Sequence, residues 1–173
     1  MAGPDTFTLY DGSEMTVLER PGGPEDSLVM RFRLREGCGA PPPHTHPTAT
    51  EIFAVEEGDF EMQLDGEWRA VAAGEAVEVE PGQVHTFRNE TPGEVVIRNT
   101  HDPHHDFEPY IRAVAALSHD IESVSPNSLS AAARMAVLWQ RHSDLIQPGP
   151  LPLKLAFPVL AGGAKLLRLD IPG

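Results

Sequence analysis

The run His44-Thr45-His46-Pro47-Thr48-Ala49-Thr50-Glu51 is the stretch from which both the fold and the chemistry of this chain are read. Pro41-Pro42-Pro43 immediately before it excludes a helix, because successive prolines fix φ and remove backbone donors. On an extended strand, residues two apart point the same way. The imidazoles of His44 and His46 therefore share one face, about 6–7 Å apart along the chain, where both can converge on one ion. Glu51 follows five residues later, which leaves room for an irregularity before a second strand, Glu51-Ile52-Phe53-Ala54-Val55. There Glu51 shares a face with Phe53 and Val55. A carboxylate turned into an apolar interior is costly unless something pairs with it, and a metal ion removes that cost. The fourth group is His85, just after the Pro81-Gly82 turn and on one face with Phe87.

Outward from this run the first two-thirds of the chain read as β structure. From Ser27 to Arg35, Leu28, Met30, Phe32 and Leu34 alternate with Val29, Arg31, Arg33 and Arg35, so the arginines face outward as surface or interface residues. Phe60, Met62 and Leu64 repeat the alternation, and Asp65-Gly66 supplies a tight hairpin turn. Glu57-Gly58-Asp59, Ala73-Gly74-Glu75 and Pro81-Gly82 mark further turns, and another strand is expected over Glu94–Thr100. Short strands at this spacing specify an all-β barrel or sandwich.

Beyond His105 the pattern becomes helical. Phe107–Leu117 has near-helical apolar spacing, Ser125–Ser128 is a break, and the Ala-rich Leu129–Ile146 is expected to be the longest helix. Pro148, Pro150 and Pro152 read as a stiff linker, and Leu153–Leu169 as a last helix disturbed by Pro158 and Gly162-Gly163. The organisation expected is a β domain over 1–106 and a helical extension over 107–173. The extension's many Leu, Ala and Val residues must bury somewhere, as a lid on the barrel mouth or in a dimer interface.

Composition narrows the function classes. The 173 residues carry 13 Lys and Arg against 26 Asp and Glu, a formal charge of -13, with no basic cluster to neutralise phosphates. Nucleic acid is therefore not an expected partner. Lys154 and Lys165 interrupt the apolar tail too closely for a membrane span, which needs about 20 apolar residues. The single cysteine, Cys38, cannot bridge within the chain and reads as a packing residue. With no basic-then-apolar opening, a cytoplasmic location is expected.

Ligand type sets the expected cofactor. Three imidazoles and a carboxylate suit one divalent transition metal, Fe, Mn, Ni, Co, Cu or Zn, and suit the oxygen-seeking Ca and Mg poorly. A lone His-x-His is weak support for a metal, and the set of four carries the reading. A second cluster, His101-Asp102-Pro103-His104-His105, lies at a strand end and loop with no regular face to gather it. It reads as a linker, with His101 alone a candidate for the barrel mouth. Phe53, Met62, Phe87 and Ile97 are expected to surround the metal, since the pocket of a small barrel is its interior. Trp68 and Phe60 read as core residues, and Trp139 as packing against the barrel or a second subunit.

The pattern resembles the cupin superfamily, in particular small microbial cupins of the quercetin-dioxygenase-like type. His44-Thr45-His46 through Glu51, followed by Gly58, resembles the first cupin motif. Gly74, Pro81, Gly82, His85 and Asn89 resemble the second, with the short gap between Gly58 and Gly74 typical of compact cupins. The likeness spans Ser27–Asn99. It departs at Cys38, where the family places glycine, and at Pro81, one position later than usual, with Glu80 in its place. The resemblance implies a jelly-roll (double-stranded β-helix) barrel, a metal held by His44, His46, Glu51 and His85, and pairing into a homodimer. It also implies Glu51 as a ligand able to act as a catalytic base in a dioxygenase acting on a small aromatic or apolar substrate. Other outcomes on this fold are a non-redox isomerase or decarboxylase, or a module that binds a small ligand without catalysis.

Overall fold

The computed structural model describes residues 5–9, 11–23, 25–38, 41–122 and 129–166. Among them the strands are β1 (Thr6–Thr8), β2 (Glu14–Glu19), β3 (Leu28–Leu34), β4 (His44–Thr45), β5 (Thr50–Glu57), β6 (Phe60–Leu64), β7 (Glu67–Val71), β8 (Ala76–Val79), β9 (His85–Arg88), β10 (Val95–Asp102) and β11 (Gln147–Pro148). Three helices accompany them: α1 (Phe107–Glu122), α2 (Leu129–Arg141) and α3 (Leu151–Leu166). The strands form two antiparallel sheets, ordered β1-β2-β3-β10-β5-β8 and β11-β4-β9-β6-β7. This is the jelly-roll architecture. Among the described residues no ladder joins the two sheets, so they are a facing pair and not one closed barrel.

Alternation makes the larger sheet two-faced. Along β3, Leu28, Met30, Phe32 and Leu34 are buried, while Arg31 and Arg33 face outward to Glu56 at 2.9 Å and Glu94 at 2.6 Å. These half-exposed pairs contribute little, about 0–1 kcal/mol each. Phe53, Phe60, Met62 and Ile97 are fully buried between the sheets. The β6–β7 turn has Asp65 at φ 50° and Gly66 at φ 96°, as a two-residue hairpin requires. At Gly58 two constraints coincide: φ is 75°, and a Cβ would sit 2.8 Å from the Glu94 carbonyl oxygen. Asn89 is wholly buried and closes a turn, its amide donating to the carbonyls of Leu34 and Gly93 at 3.0 and 2.9 Å.

The last third departs from the sequence expectations at named places. α1 runs on to Glu122, five residues beyond Leu117. α2 stops at Arg141 where continuation to Ile146 was expected, because the chain turns back to lay Gln147–Pro148 against β4. Pro148 is thus a strand residue and not part of a linker. Pro152 sits in the first turn of α3, where a missing amide costs nothing. α3 continues through Pro158 to Leu166; the expected Ser125–Ser128 break and the end at Leu169 lie outside the described residues. Among the described residues no helix is long and apolar enough to cross a membrane.

Candidate metal centre

The centre is built from two cross-strand pairs, one in each sheet. In the smaller sheet His44 on β4 stands directly opposite His85 on β9, their rings 4.2 Å apart. In the larger sheet Glu51 on β5 stands directly opposite His101 on β10. The sheets face each other, and Glu51 Oε2 meets His85 Nε2 at 2.9 Å and His46 Nε2 at 3.2 Å. His46, just past β4, completes the group; its own carbonyl is held by the Gly82 amide at 2.8 Å.

The outer hydrogen bonds set the ring tautomers. Nδ1 of His44 lies 2.9 Å from the Pro42 carbonyl, Nδ1 of His46 2.7 Å from that of Leu145, and Nδ1 of His85 3.2 Å from that of Gln83. A carbonyl only accepts, so each Nδ1 carries the proton and each Nε2 presents a lone pair inward. Nε2 of His46 and of His85 and Oε2 of Glu51 are buried without any hydrogen-bond partner. Such orphaned atoms are costly unless an ion satisfies them. One ligand atom from each of His44, His46, Glu51 and His85 lies within 4.8 Å of the other three, so the set can hold a metal ion. Asn99 donates to Glu51 Oε1 at 2.8 Å, which ties down one carboxylate oxygen and leaves Oε2 for the centre.

Electrostatics bears on His44 and Glu51. Burial, helped by the neighbouring His85 and His46, holds His44 well below its ordinary value, so it is neutral. For Glu51, burial alone acts upward. His101, with His46 and His85, overrides it and draws the carboxyl well below its ordinary range. The centre therefore has a neutral His44 beside an ionised Glu51, with Nε2 of His46 and of His85 turned inward by their Nδ1 hydrogen bonds.

His101 is the residue whose place the sequence concealed. The sequence ends the strand at Thr100 and puts His101 at the strand end and loop, a candidate for the barrel mouth; β10 in fact continues to Asp102. Val95, Ile97, Asn99 and His101 all point inward on one alternation, with polar Asn99 masking the signal. His101 is 1% exposed, its Nε2 is 3.3 Å from Glu51 Oε1, and neither ring nitrogen has a hydrogen-bond partner. Burial lowers its pKa to about 3 against the pull of Glu51. Its neighbours scatter: His104 reaches the Gly23 carbonyl at 3.0 Å, and His105 turns outward, 3.8 Å from Glu25.

The walls come from both parts of the chain. Phe53 touches His85 edge-on at 6.3 Å and Phe87 at 5.4 Å, while Met62 and Ile97 lie in the same core. From the extension, Phe107 stacks on His101 at 3.6 Å and Trp139 lies 5.7 Å from His44. Trp139 also lines a cavity of about 240 Å³ together with Ile146, Pro148 and Phe157. Tyr110 is buried against Phe107, and burial pushes its hydroxyl upward. Cys38 is buried and its thiol is pushed up to about 11 by that burial, as a packing residue would be.

Two facing antiparallel sheets that converge a three-histidine, one-carboxylate cluster define a class of β jelly-roll protein with a metal-type centre. Residues 30–101 match the family model of the cupin domain, so this stretch carries a cupin-type domain. Among solved structures the chain is similar to KdgF from Halomonas sp., at 23% identity over 60% of this chain and 90% of that one, with a TM-score of 0.52. It is likewise similar to an RmlC-like cupin from Shewanella frigidimarina, at 17% identity over 61% and 88%, TM-score 0.52. Both likenesses concern the fold. A double-stranded β-helix protein from Klebsiella pneumoniae subsp. pneumoniae shares 25% identity over 51% and 74%, TM-score 0.45. No curated protein matches the chain. The family match ends at His101, so Phe107, Trp139 and Leu145 lie beyond it.

Proposed function

We propose that this chain binds one divalent transition metal through His44, His46, Glu51 and His85 and uses it to oxidise a small aromatic or apolar substrate with dioxygen. The observation that carries the metal reading is the convergence of unpartnered His46 Nε2, His85 Nε2 and Glu51 Oε2 in a buried centre whose Nδ1 atoms are all tied to carbonyls. At such a centre a redox-active ion supplies dioxygen and electron chemistry, and zinc supplies a Lewis acid. Support for an apolar substrate comes from the rings of Phe53, Phe107 and Trp139 around the ligands. On this reading Glu51, anchored through Oε1 by Asn99, is the base that accepts a proton from the substrate.

One observation favours a second reading, non-redox isomerisation or decarboxylation. His101 brings an additional imidazole, with both nitrogens unengaged, against Glu51, and acid–base chemistry uses such a pair. Metal analysis of protein purified without an affinity tag, followed by oxygen-electrode assays over an aromatic panel, separates the two. Iron, manganese, nickel, cobalt or copper at one per chain with substrate-dependent oxygen uptake supports the dioxygenase. Zinc with no uptake supports the second reading. No metal after reconstitution sinks both.

A further inference from the structure

The ring of His46 is held from far along the chain: its Nδ1 partner, the Leu145 carbonyl, is 99 residues away. The segment that presents this carbonyl is fastened to the strand carrying the ligands. Gln147 and Pro148 pair with Thr45 and His44, and the Gly149 amide donates to the Pro43 carbonyl at 2.9 Å. The turn leading into it is closed by the Leu145 and Ile146 amides on the His142 carbonyl at 2.9 and 3.0 Å. The approach is close enough to demand glycine: a Cβ on Gly149 would lie 2.6 Å from Val84 Cγ1 and 3.2 Å from Pro43 backbone atoms.

We propose that docking of Leu145–Gly149 on β4 and metal binding are one coupled equilibrium, with the extension setting the tautomer and orientation of His46. The inference rests on the metal-binding reading above. Without the Leu145 carbonyl, a neutral His46 is free to carry its proton on Nε2, which blocks the ligand atom, and its ring is free to turn. With the carbonyl in place, Nε2 is a permanent acceptor aimed at the centre. Linkage makes the effect reciprocal: an ion that needs His46 Nε2 holds the segment down by as much as the segment favours the ion. All four ligands and His101 are 5% exposed or less, so the same segment also belongs to the cover over the site.

The test compares the wild type with Gly149→Ala, and with the double variant Gly149→Ala/Val84→Ala, in which the nearest clash is relieved. Cobalt(II) affinity is measured by chelator competition, the cobalt visible spectrum is recorded, and hydrogen exchange is followed on wild-type protein with and without saturating zinc. Gly149→Ala is expected to weaken cobalt binding by about 10–100-fold, the range for losing an outer-shell partner, and to shift the spectrum. The double variant is expected to recover most of both. Zinc is expected to slow exchange of the Gly149 amide while leaving that of Leu9, in the β1–β2 turn, unchanged. Equal affinity and an identical spectrum in Gly149→Ala, or Gly149 exchange indifferent to zinc, overturns the coupling while the metal reading stands. A wild type that binds no cobalt or zinc overturns the metal reading and the coupling together. Should Gly149→Ala fail to fold, the wild-type exchange decides.

Discussion

Residues 44–51 and residues 101–105 are both rich in histidine, yet the structure treats them differently. In the first stretch both histidines end in the centre. In the second, one joins the centre, one braces the Gly23 loop and one faces solvent. Local histidine density does not explain the contrast; register does. His44 lies on β4 and His46 one residue past its end, spaced by two. Of the second group's histidines His101 alone lies on β10, and the chain then turns through Pro103, with His105 and Asp106 at positive φ. Whether an imidazole becomes part of a site depends on which sheet face its strand position selects.

The largest effect that tests this contrast belongs to the first stretch and its partners. His85→Ala is expected to lower zinc affinity by more than about 100-fold, exceeding the effect of losing an outer-shell partner, as read by chelator competition. Retention of stoichiometric, tight metal in that variant would break the comparison at its root. Next in size, Phe107→Ala removes the ring that covers His101 and is expected to cost about 3–5 kcal/mol in urea unfolding. A loss below about 1 kcal/mol would mean that the cover does not pack as described.

A pH experiment distinguishes His101 from its two neighbours. Unfolded His44 and His101 take up protons near pH 6.5. Folded His44 stays neutral well below that, and folded His101 does so down to about 3. Between those limits the unfolded chain binds more protons, so the metal-free protein loses stability as the pH falls. Each group contributes a slope of about 1.4 kcal/mol per pH unit. His101→Gln should remove one such slope between pH 6 and 4.5, read from unfolding curves after chelation; an unchanged slope would place His101 outside the buried cluster. The smallest effect is at His105→Ala, expected to stay within about 0.5 kcal/mol of wild type with metal affinity unaltered. A clear change there would show that the second stretch acts as a unit.

Much of this was legible from residues alone, for identifiable reasons. Leu28 through Leu34 alternate strictly, Asp65-Gly66 is a turn of defined chemistry, and the four ligands fall beside proline and glycine signals that fix their backbone. The β framework follows from such local rules, and so does the convergence of His44, His46, Glu51 and His85 as a set able to hold a metal. His101 was obscured because Asn99 and Thr100 dilute the alternation and Pro103 suggests an earlier end to the strand. The seating of Leu145–Gly149 was hidden for another reason. A two-residue strand has no periodicity to detect, and its partner lies a hundred positions away along the chain. Pro148 and Pro150 there signal a linker when read locally, and only tertiary pairing makes Pro148 part of a sheet.

The order of these parts along the chain has a consequence for how the protein is made. Every ligand, and the Asn99–His101 strand behind them, precedes residue 103, whereas the covering segment ends at Gly149. At about 5–20 residues per second, synthesis of the intervening stretch takes roughly 2–9 s. During that interval the nascent chain carries all four side chains of the metal-type cluster with no roof over them, and on the metal-binding proposal the site stands open until the last strand arrives to close it in.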